Sequence, residues 1–413
     1  MKITIIGGGI IGLSSAYYLN KAGHHVIVID KDNPQEGCSF GNAGMIVPSH
    51  FIPLAAPGMI SKGFRWMFDS ESPFYVKPRL DWDLIKWGWQ FYRHANAQHV
   101  TKSIGALKEM HLLSSQFYHQ WSQELPFDFG YHERGLLMLY QTASIEKEEM
   151  EKARLANTIG IEANVLTPEE VQKLEPHVKV KVRGGVYFPG DAHVTPHLLV
   201  VQLKKLLQQA GVVFHQQTVT KLEVEKDELK KVITSTMDFN PDEVVLAAGV
   251  WSDSLAKQLG LSIPMQAGKG YSFTLADVKN NTRIPTIFLE ARVAVTPMGN
   301  SLRFGGTMEI AGINSTINMK RVKGIVDSIS KYYPDMQVAL PKKEEVWYGL
   351  RPCPPDGLPY IGRSKKIKNL VMATGHSMMG LSLGPATGKL VSEIIDDKKV
   401  SVPIEAFKSE RFS

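Results

Sequence analysis

Three glycines spaced as GxGxxG, Gly7, Gly9 and Gly12, stand between the apolar run ITII and a helical pattern that extends to about Ala22. Glycine at the first position permits a tight turn, and at the second it lets a pyrophosphate reach the backbone. At the third it lets helix and strand pack closely, and the helix N-terminus then favours negative charge. Asp30 closes the next run, HVIVID, eighteen residues after Gly12. A carboxylate there accepts hydrogen bonds from ribose hydroxyls and repels a 2′-phosphate, which selects against NADP. Ile11 and Lys31 flank these positions and join the candidate set. Glycine pattern, flanking strand and acidic strand end together specify an ADP-bearing dinucleotide, but not which one; the bland alternative is a glycine turn with a surface aspartate.

Further along, GCSFGNAGMIVPSH gathers the small residues Cys38, Ser39, Gly41, Ala43 and Gly44 around the amide of Asn42. Such a stretch lets backbone amides lie against a flat or phosphorylated ligand, or it is simply a loop of tight turns. Arg351, in GLRPCPPDGLPYIG, carries a planar fork matched to a carboxylate, which suits an amino-acid substrate. Tyr271 in GKGYSF, His50 and His376 are polar groups able to face a pocket. In ATGHSMMG, His376 falls at the expected start of a terminal helix, whose dipole and amides can stabilise developing negative charge. No catalytic triad or carboxylate pair stands out.

These residues need elements to hold them. The chain has 413 residues, 43% hydrophobic and 21% charged, so two or three domains and a large core are expected. Strand, turn, helix and strand occupy the first thirty residues, a βαβ start. Residues 45–182 change character, with an aromatic stretch, FRWMFDSESPFYVKPRLDWDLIKWGWQFYRHA, followed by helical patterns. The α/β pattern returns from Thr195, with a helix, the run VVFHQQTVTKLEVE read as one strand, and the apolar EVVLAAGVWS. Residues 264–313 alternate like strands, and NLVMATG leads into the terminal helix. The cofactor part therefore reads as discontinuous, interrupted by two insertions that build a second domain.

Two cysteines without a CxxC pair, Cys38 and Cys353, suggest neither a disulfide framework nor a thiolate metal site, and fit a reducing, cytoplasmic setting. A short apolar strand running straight into glycines is not a secretory signal, and no apolar run is long enough to span a bilayer. The net charge of +6 allows association with an anionic lipid surface. The WGW cluster reads as core packing in preference to a membrane-surface belt.

Taken in order, SFGNAGMIVPSH followed by LAAPG, EVVLAAGVWS, GKGYSF, RVAVTPMGNSLRFGGTMEIAG, GLRPCPPDGLPYIG and MATGHSMMGLSLGPATGKL span nearly the whole chain. In these segments the sequence resembles the glycine-oxidase/D-amino-acid oxidase superfamily of FAD enzymes, nearest to the bacterial D-amino-acid dehydrogenase type. The resemblance implies an α/β fold: a glutathione-reductase-like Rossmann FAD domain (1–50, 191–260 and 345–413) with a discontinuous α+β substrate domain on an antiparallel sheet (51–190 and 261–344). It implies Gly7, Gly9, Gly12 and Asp30 at the ADP half, Val219 by the adenine, and Ala248 and Gly249 near the pyrophosphate. Ser39, Asn42, Ala43, Gly44 and Met45, with Gly375, His376, Met379 and Gly380, would lie near the flavin. Arg351 matches the family's carboxylate-binding arginine, and Tyr271 a position on the substrate side. Some relatives link flavin to a cysteine just upstream of the PD pair; here that place is Gly349, so FAD is expected to be non-covalent.

The implied reaction is dehydrogenation of a D-amino acid at the Cα–N bond by hydride transfer to flavin N5, with D-proline or a hydroxy-D-proline among the candidates. A quinone or other electron-transfer acceptor is expected, with peripheral membrane association and no nucleic-acid partner. The alternatives are a glycine or sarcosine oxidase using O2, a non-catalytic flavoprotein, and an NAD-dependent dehydrogenase, the last of which leaves the later segments unexplained.

Overall fold

The computed structural model describes residues 1–32, 37–59 and 73–412. Its first sheet has six strands in the order Tyr360–Arg363, Leu370–Thr374, Glu243–Leu246, Lys2–Ile6, His25–Asp30 and Val213–Gln216. All pairs are parallel except the one made by the edge strand Tyr360–Arg363. A parallel sheet is covered on both faces, and these strands are apolar almost throughout for that reason. Ile3, Ile5, Val26, Val28, Val245 and Val371 point to one side, against the helices Ile10–Lys21, Pro196–Gln209 and Gly380–Ile395. Ile6, Ile29, Val244, Leu246 and Met372 point to the other, against the antiparallel strands Val219–Glu225, Glu228–Thr234 and Asp238–Phe239.

The second sheet has nine strands and is antiparallel apart from two pairs. Its edge strand Trp347–Cys353 pairs with Gln266–Leu275, which pairs in turn with Ser301–Ile310. The parallel exceptions are Thr286–Phe288 on Leu136–Tyr140 and Phe74–Val76 on Ser301–Ile310. Helix Met319–Tyr332 covers one face through Val322, Ile325 and Ile329.

Several elements differ from the sequence expectations. The run VVFHQQTVTKLEVE is two strands in two sheets, because the Gln217 N–H donates to the Asp30 carbonyl at 2.8 Å and the chain then leaves the parallel sheet. Helix Ala97–Glu124 lies within the expected substrate-domain segment, yet it packs on the terminal helix: Ser114 Oγ donates to the Ser382 carbonyl at 2.6 Å and Tyr118 to that of Leu381 at 2.7 Å. Strand Trp347–Cys353 lies within an expected FAD-domain segment, yet it closes the second sheet.

The WGW stretch forms helix Trp82–His94, capped by the Asp81 carboxylate, and core packing accounts for only half of it. Trp87 is buried while Trp82 and Trp89 are exposed, since they fall on opposite sides of the helix. Residues 64–72 of the aromatic stretch lie outside the described residues.

The first and terminal helices cross closely enough that a Cβ on Gly388 would come within 2.5 Å of the Ser14 carbonyl oxygen. Gly388→Ala is therefore expected to force these helices apart, costing about 1–3 kcal/mol by overpacking. Thermal denaturation checks this, and an unchanged Tm would contradict it.

Candidate functional site

Parallel strands bring their C-terminal ends to one edge, where open α/β sheets bind ligands. Here Ile6, Ile29, Asp30, Ala247 and Ala373 border a cavity of about 1390 Å³ that continues to the second sheet at Tyr271, Thr307 and Arg351. It exceeds the roughly 300–1,000 Å³ of an ordinary small-molecule site, which leaves room for an extended ligand and a second one at its end.

At one end the glycine turn is shaped by contact. Gly7 has φ +114°, and a Cβ there would meet the Ala247 carbonyl oxygen at 2.3 Å. Gly9 and Ile11 line the cavity, whereas Gly12 is set back, touching the Gly7 carbonyl. The Asp30 carboxylate accepts the Gly8 N–H and the Asp32 N–H (2.9 Å), while burial pushes its pKa up. Lys31 lines the cavity and its ammonium lies 4.3 Å from the centre of the Trp251 ring, itself part of the wall. Val219, Ala248 and Gly249 also line it.

The SxGNAG loop is fastened from three sides. Ser39 Oγ accepts the Ile10 N–H at 2.9 Å, which ties the loop to the first helix. Ser272 donates to the Gly41 carbonyl at 2.8 Å, and Arg303 Nη1 donates to the carbonyls of Phe40 (3.2 Å) and Asn42 (2.8 Å). Arg303 is buried with no carboxylate partner among the described residues, and desolvation lowers its pKa to about 10. Asn42 Oδ1 accepts the Gly44 N–H at 2.9 Å. Cys38, Ser39, Asn42, Ala43 and Met45 line the cavity, while Gly44 packs behind against the Val194 carbonyl. The Cys38 sulfur is 3.1 Å from both the N and the O of Leu350, and burial raises its pKa, so it remains a thiol.

The other end is built on the second sheet. Arg351 lies opposite Gly268 in the strand pair, and its guanidinium crosses Gly270, where a Cβ would fall 2.2 Å from Nη1 and Nη2. Nη1 donates to the Thr307 carbonyl at 2.7 Å, and no carboxylate pairs with Arg351 among the described residues. Desolvation lowers its pKa, but a guanidinium keeps its charge. A half-buried cation that lines the cavity with four further N–H donors calls for an anion.

Tyr271 lines the cavity, but its hydroxyl is committed to Glu309 (3.0 Å) and accepts the Asn318 N–H (3.2 Å). Glu309 also faces Lys269 (3.8 Å) and Arg321 (3.7 Å), a buried charged group beside the cavity. Arg303 and this group were not expected from the sequence. The only signal for Lys269, Arg303 and Glu309 was a charged residue inside an otherwise strand-like run, and Arg321, on helix Met319–Tyr332, had none.

His50 lines the cavity at the junction of the sheets, with Nδ1 3.1 Å from Ser49 Oγ, which donates to the buried Asp191 at 2.5 Å. Burial and the charges of Lys152 and Arg292 depress its pKa to about 4. Gly375, His376, Met379 and Gly380 complete the wall. The terminal helix begins at Gly380, after a 3-10 turn Ser377–Met379, and not at His376. The His376 ring is tied to Thr387 Oγ1 at 2.9 Å, and burial drives its pKa to about 3. Any stabilisation of negative charge there comes from backbone amides, since the imidazole is neutral. Among the described residues no group of His, Cys, Asp and Glu is arranged to hold a metal.

The family model for FAD dependent oxidoreductases (DAO) matches residues 2–394. The chain is 32% identical to a D-amino acid dehydrogenase of Neisseria meningitidis, covering 100% of both chains, and 31% identical to one of Granulibacter bethesdensis, covering 97% of both. Among solved structures it is similar to glycine oxidase from Geobacillus kaustophilus, with TM-score 0.78, 23% identity, and coverage of 99% of this chain and 98% of that one. It is also similar to L-proline dehydrogenase from P. horikoshii, with TM-score 0.76, 21% identity, and coverage of 100% and 97%. These two likenesses concern the fold.

The buried histidines give the site region a pH dependence. His111, beneath Ser382 of the terminal helix, has its pKa lowered by burial to about 3. An unfolded histidine titrates near 6.5, so below that pH the unfolded chain binds the proton first and stability falls as pH drops from about 6.5 toward 3. His111→Asn, which keeps a polar atom near Nδ1, is expected to lose less Tm than the parent between pH 6.5 and 4. Parallel Tm–pH curves would contradict this.

Proposed function

Because the chain belongs to the family of FAD-dependent oxidoreductases, it is a flavoenzyme, and we propose that it dehydrogenates a D-amino acid at the Cα–N bond. The observation that carries this reading is Arg351, a half-buried guanidinium at the cavity wall that no carboxylate pairs with among the described residues. An amino acid supplies the missing carboxylate and, held by a two-pronged contact, presents Cα in one orientation.

The residues present fit FAD. A cradle at Gly7 that a Cβ would block, the Asp30 carboxylate at the strand end and a long cavity suit its ADP half. In the proposed arrangement Gly7, Gly9, Ile11, Asp30 and Lys31 hold that half, with Val219 by the adenine and Ala248 and Gly249 by the pyrophosphate. Ser39, Asn42, Ala43 and Met45 border the flavin with Gly375, His376, Met379 and Gly380, while Gly44 stands behind them. Non-covalent binding is supported at Gly349, where even a Cβ would lie 2.1 Å from the Trp347 ring, leaving no place for a linking cysteine.

Bound FAD supplies the two-electron acceptor. Arg351 fixes the carboxylate, and the apolar walls exclude water. His50 and His376 stay neutral and do not compete with Arg351 for the substrate's charge. The amine enters neutral; its lone pair forms the C=N bond as the Cα hydrogen leaves with its electron pair, so no carbanion needs a base. The imino acid then hydrolyses in water to a keto acid, or persists if cyclic. Tyr271 sets the substrate wall through its ring.

Within the class, cyclic substrates such as D-proline or a hydroxy-D-proline are compatible with this chemistry. The electrons pass on to a quinone or another electron-transfer acceptor, and full-length identity above 30% to proteins named D-amino acid dehydrogenase supports that reading over an oxidase. A glycine or sarcosine oxidase is the second reading, favoured by the fold of glycine oxidase and marked by rapid peroxide formation in air.

Arg351→Ala is expected to lower kcat/KM by the equivalent of about 2–4 kcal/mol, as for loss of a buried charge-assisted contact. Arg351→Lys, which keeps charge but loses the fork, should fall between. Steady-state kinetics on protein with an intact flavin spectrum measures this, and unchanged kcat/KM on every substrate removes Arg351 from the site.

A further inference from the structure

Helix Trp82–His94 has two apolar sides. Leu84, Trp87 and Phe91 turn inward onto Met308, Ile310, Cys353 and Phe74, and the Trp87 indole donates to the Cys353 carbonyl at 2.8 Å. Trp82, Ile85, Trp89 and Tyr92 form an outward stripe with relative exposures of 83, 48, 61 and 62%. Leu80, just before the helix, is fully exposed. Trp82 and Trp89 are the only exposed tryptophans among the described residues, and they stand two turns apart on one line. A face of this kind rarely stays in water on a monomer.

Charge identifies what covers it. At 100° per residue, Lys86 and Arg93 fall beside Trp82 and Trp89 on the same face, and both are exposed. Neither has a salt-bridge partner among the described residues. The nearby carboxylates are engaged elsewhere: Asp83 pairs with Lys257 at 2.8 Å, and Asp81 caps the helix and pairs with Arg79 at 2.9 Å. Asp253, the carboxylate whose charge Lys86 feels, is itself paired with Lys257 at 2.8 Å. The stripe thus combines tryptophan and tyrosine, which favour the interfacial layer of a bilayer, with two exposed cations that form no ion pair among the described residues.

We propose that this helix docks the protein on an anionic lipid bilayer, lying in the interface with Trp82, Ile85, Trp89 and Tyr92 inserted and Lys86 and Arg93 at the headgroups. The inner side of the helix rests on Phe74 and Met308, which line the cavity, and on Cys353, two residues from Arg351. Docking therefore sets the substrate end of the cavity close to the lipid, within reach of an apolar electron acceptor dissolved there. That use rests on the proposed function; the docking itself rests on the helix alone. No described helix is long and apolar enough to cross the membrane, so the attachment proposed is to one surface.

Co-sedimentation of the full-length holoenzyme with phosphatidylcholine vesicles, with and without phosphatidylglycerol, tests this, using amine oxidation with a soluble dye as the control. Binding is expected to need phosphatidylglycerol and to weaken with salt. Trp82→Ser with Trp89→Ser should reduce it tenfold or more, and Lys86→Glu with Arg93→Glu roughly 30-fold, at about 1 kcal/mol per basic residue. Flavin spectrum and dye-linked turnover should stay at the parent's level in both. Equal vesicle binding by parent and variants overturns the proposal. So does a failure of the parent to bind vesicles together with a dimer that the tryptophan variants dissociate, which assigns the face to a second copy. Variant-sensitive vesicle binding without amine oxidation supports docking and counts against the proposed function instead.

Discussion

A half-buried guanidinium that no carboxylate pairs with among the described residues is the constraint around which the site is organised. Arg351 is held by one backbone carbonyl and by the bare surface of Gly270, so its place is fixed while most of its donors stay uncommitted. Removing a cation from water is costly unless an anion meets it. Neighbouring groups do not relieve that cost: His50 and His376 are neutral, and the Cys38 and Cys353 thiols are kept protonated by burial. In the proposed function that cost falls when the substrate's carboxylate arrives.

The two sheets make this possible by meeting along one cavity. The parallel sheet contributes strand ends, the glycine turn and the amides that precede the terminal helix. The antiparallel sheet contributes a stiff surface from which Arg351 and Tyr271 project. The loop 39–44 sits between them, and both bodies hold it: Ser39 through the first helix, Gly41 and Asn42 through Ser272 and Arg303 of the second sheet. Arg303 donates its hydrogen bonds to carbonyls, so it is a fastener of backbone. Desolvation by burial lowers its pKa without removing its charge.

How much of this was legible in the sequence depended on distance along the chain. The turn at Gly7 and the aspartate at Asp30 were readable because strand, turn and strand lie within thirty residues and each residue type answers a local geometric need. The terminal helix was readable too, although its start was placed early, since no sequence signal separates the 3-10 turn Ser377–Met379 from the helix that follows. Arg303 was not readable: its partners at 40 and 42 lie some 260 residues away, and nothing in SLRFGG distinguishes a buried arginine from a solvated one. The same limit hid the Lys269, Glu309 and Arg321 group. On helix Trp82–His94 the apolar residues cover both sides, so periodicity alone could not say which side met the core; the packing of Trp87 on Cys353 decides it.

The central claim is that one cavity joins FAD to an amino acid held by Arg351. Its most direct test is the visible spectrum of the purified holoprotein, mixed without oxygen with D- and L-amino acids in turn. The account predicts a flavin spectrum that is bleached by one or more D-amino acids and left intact by their L-enantiomers. A flavin spectrum that no amino acid bleaches, or a colourless protein that FAD fails to reconstitute, would contradict it.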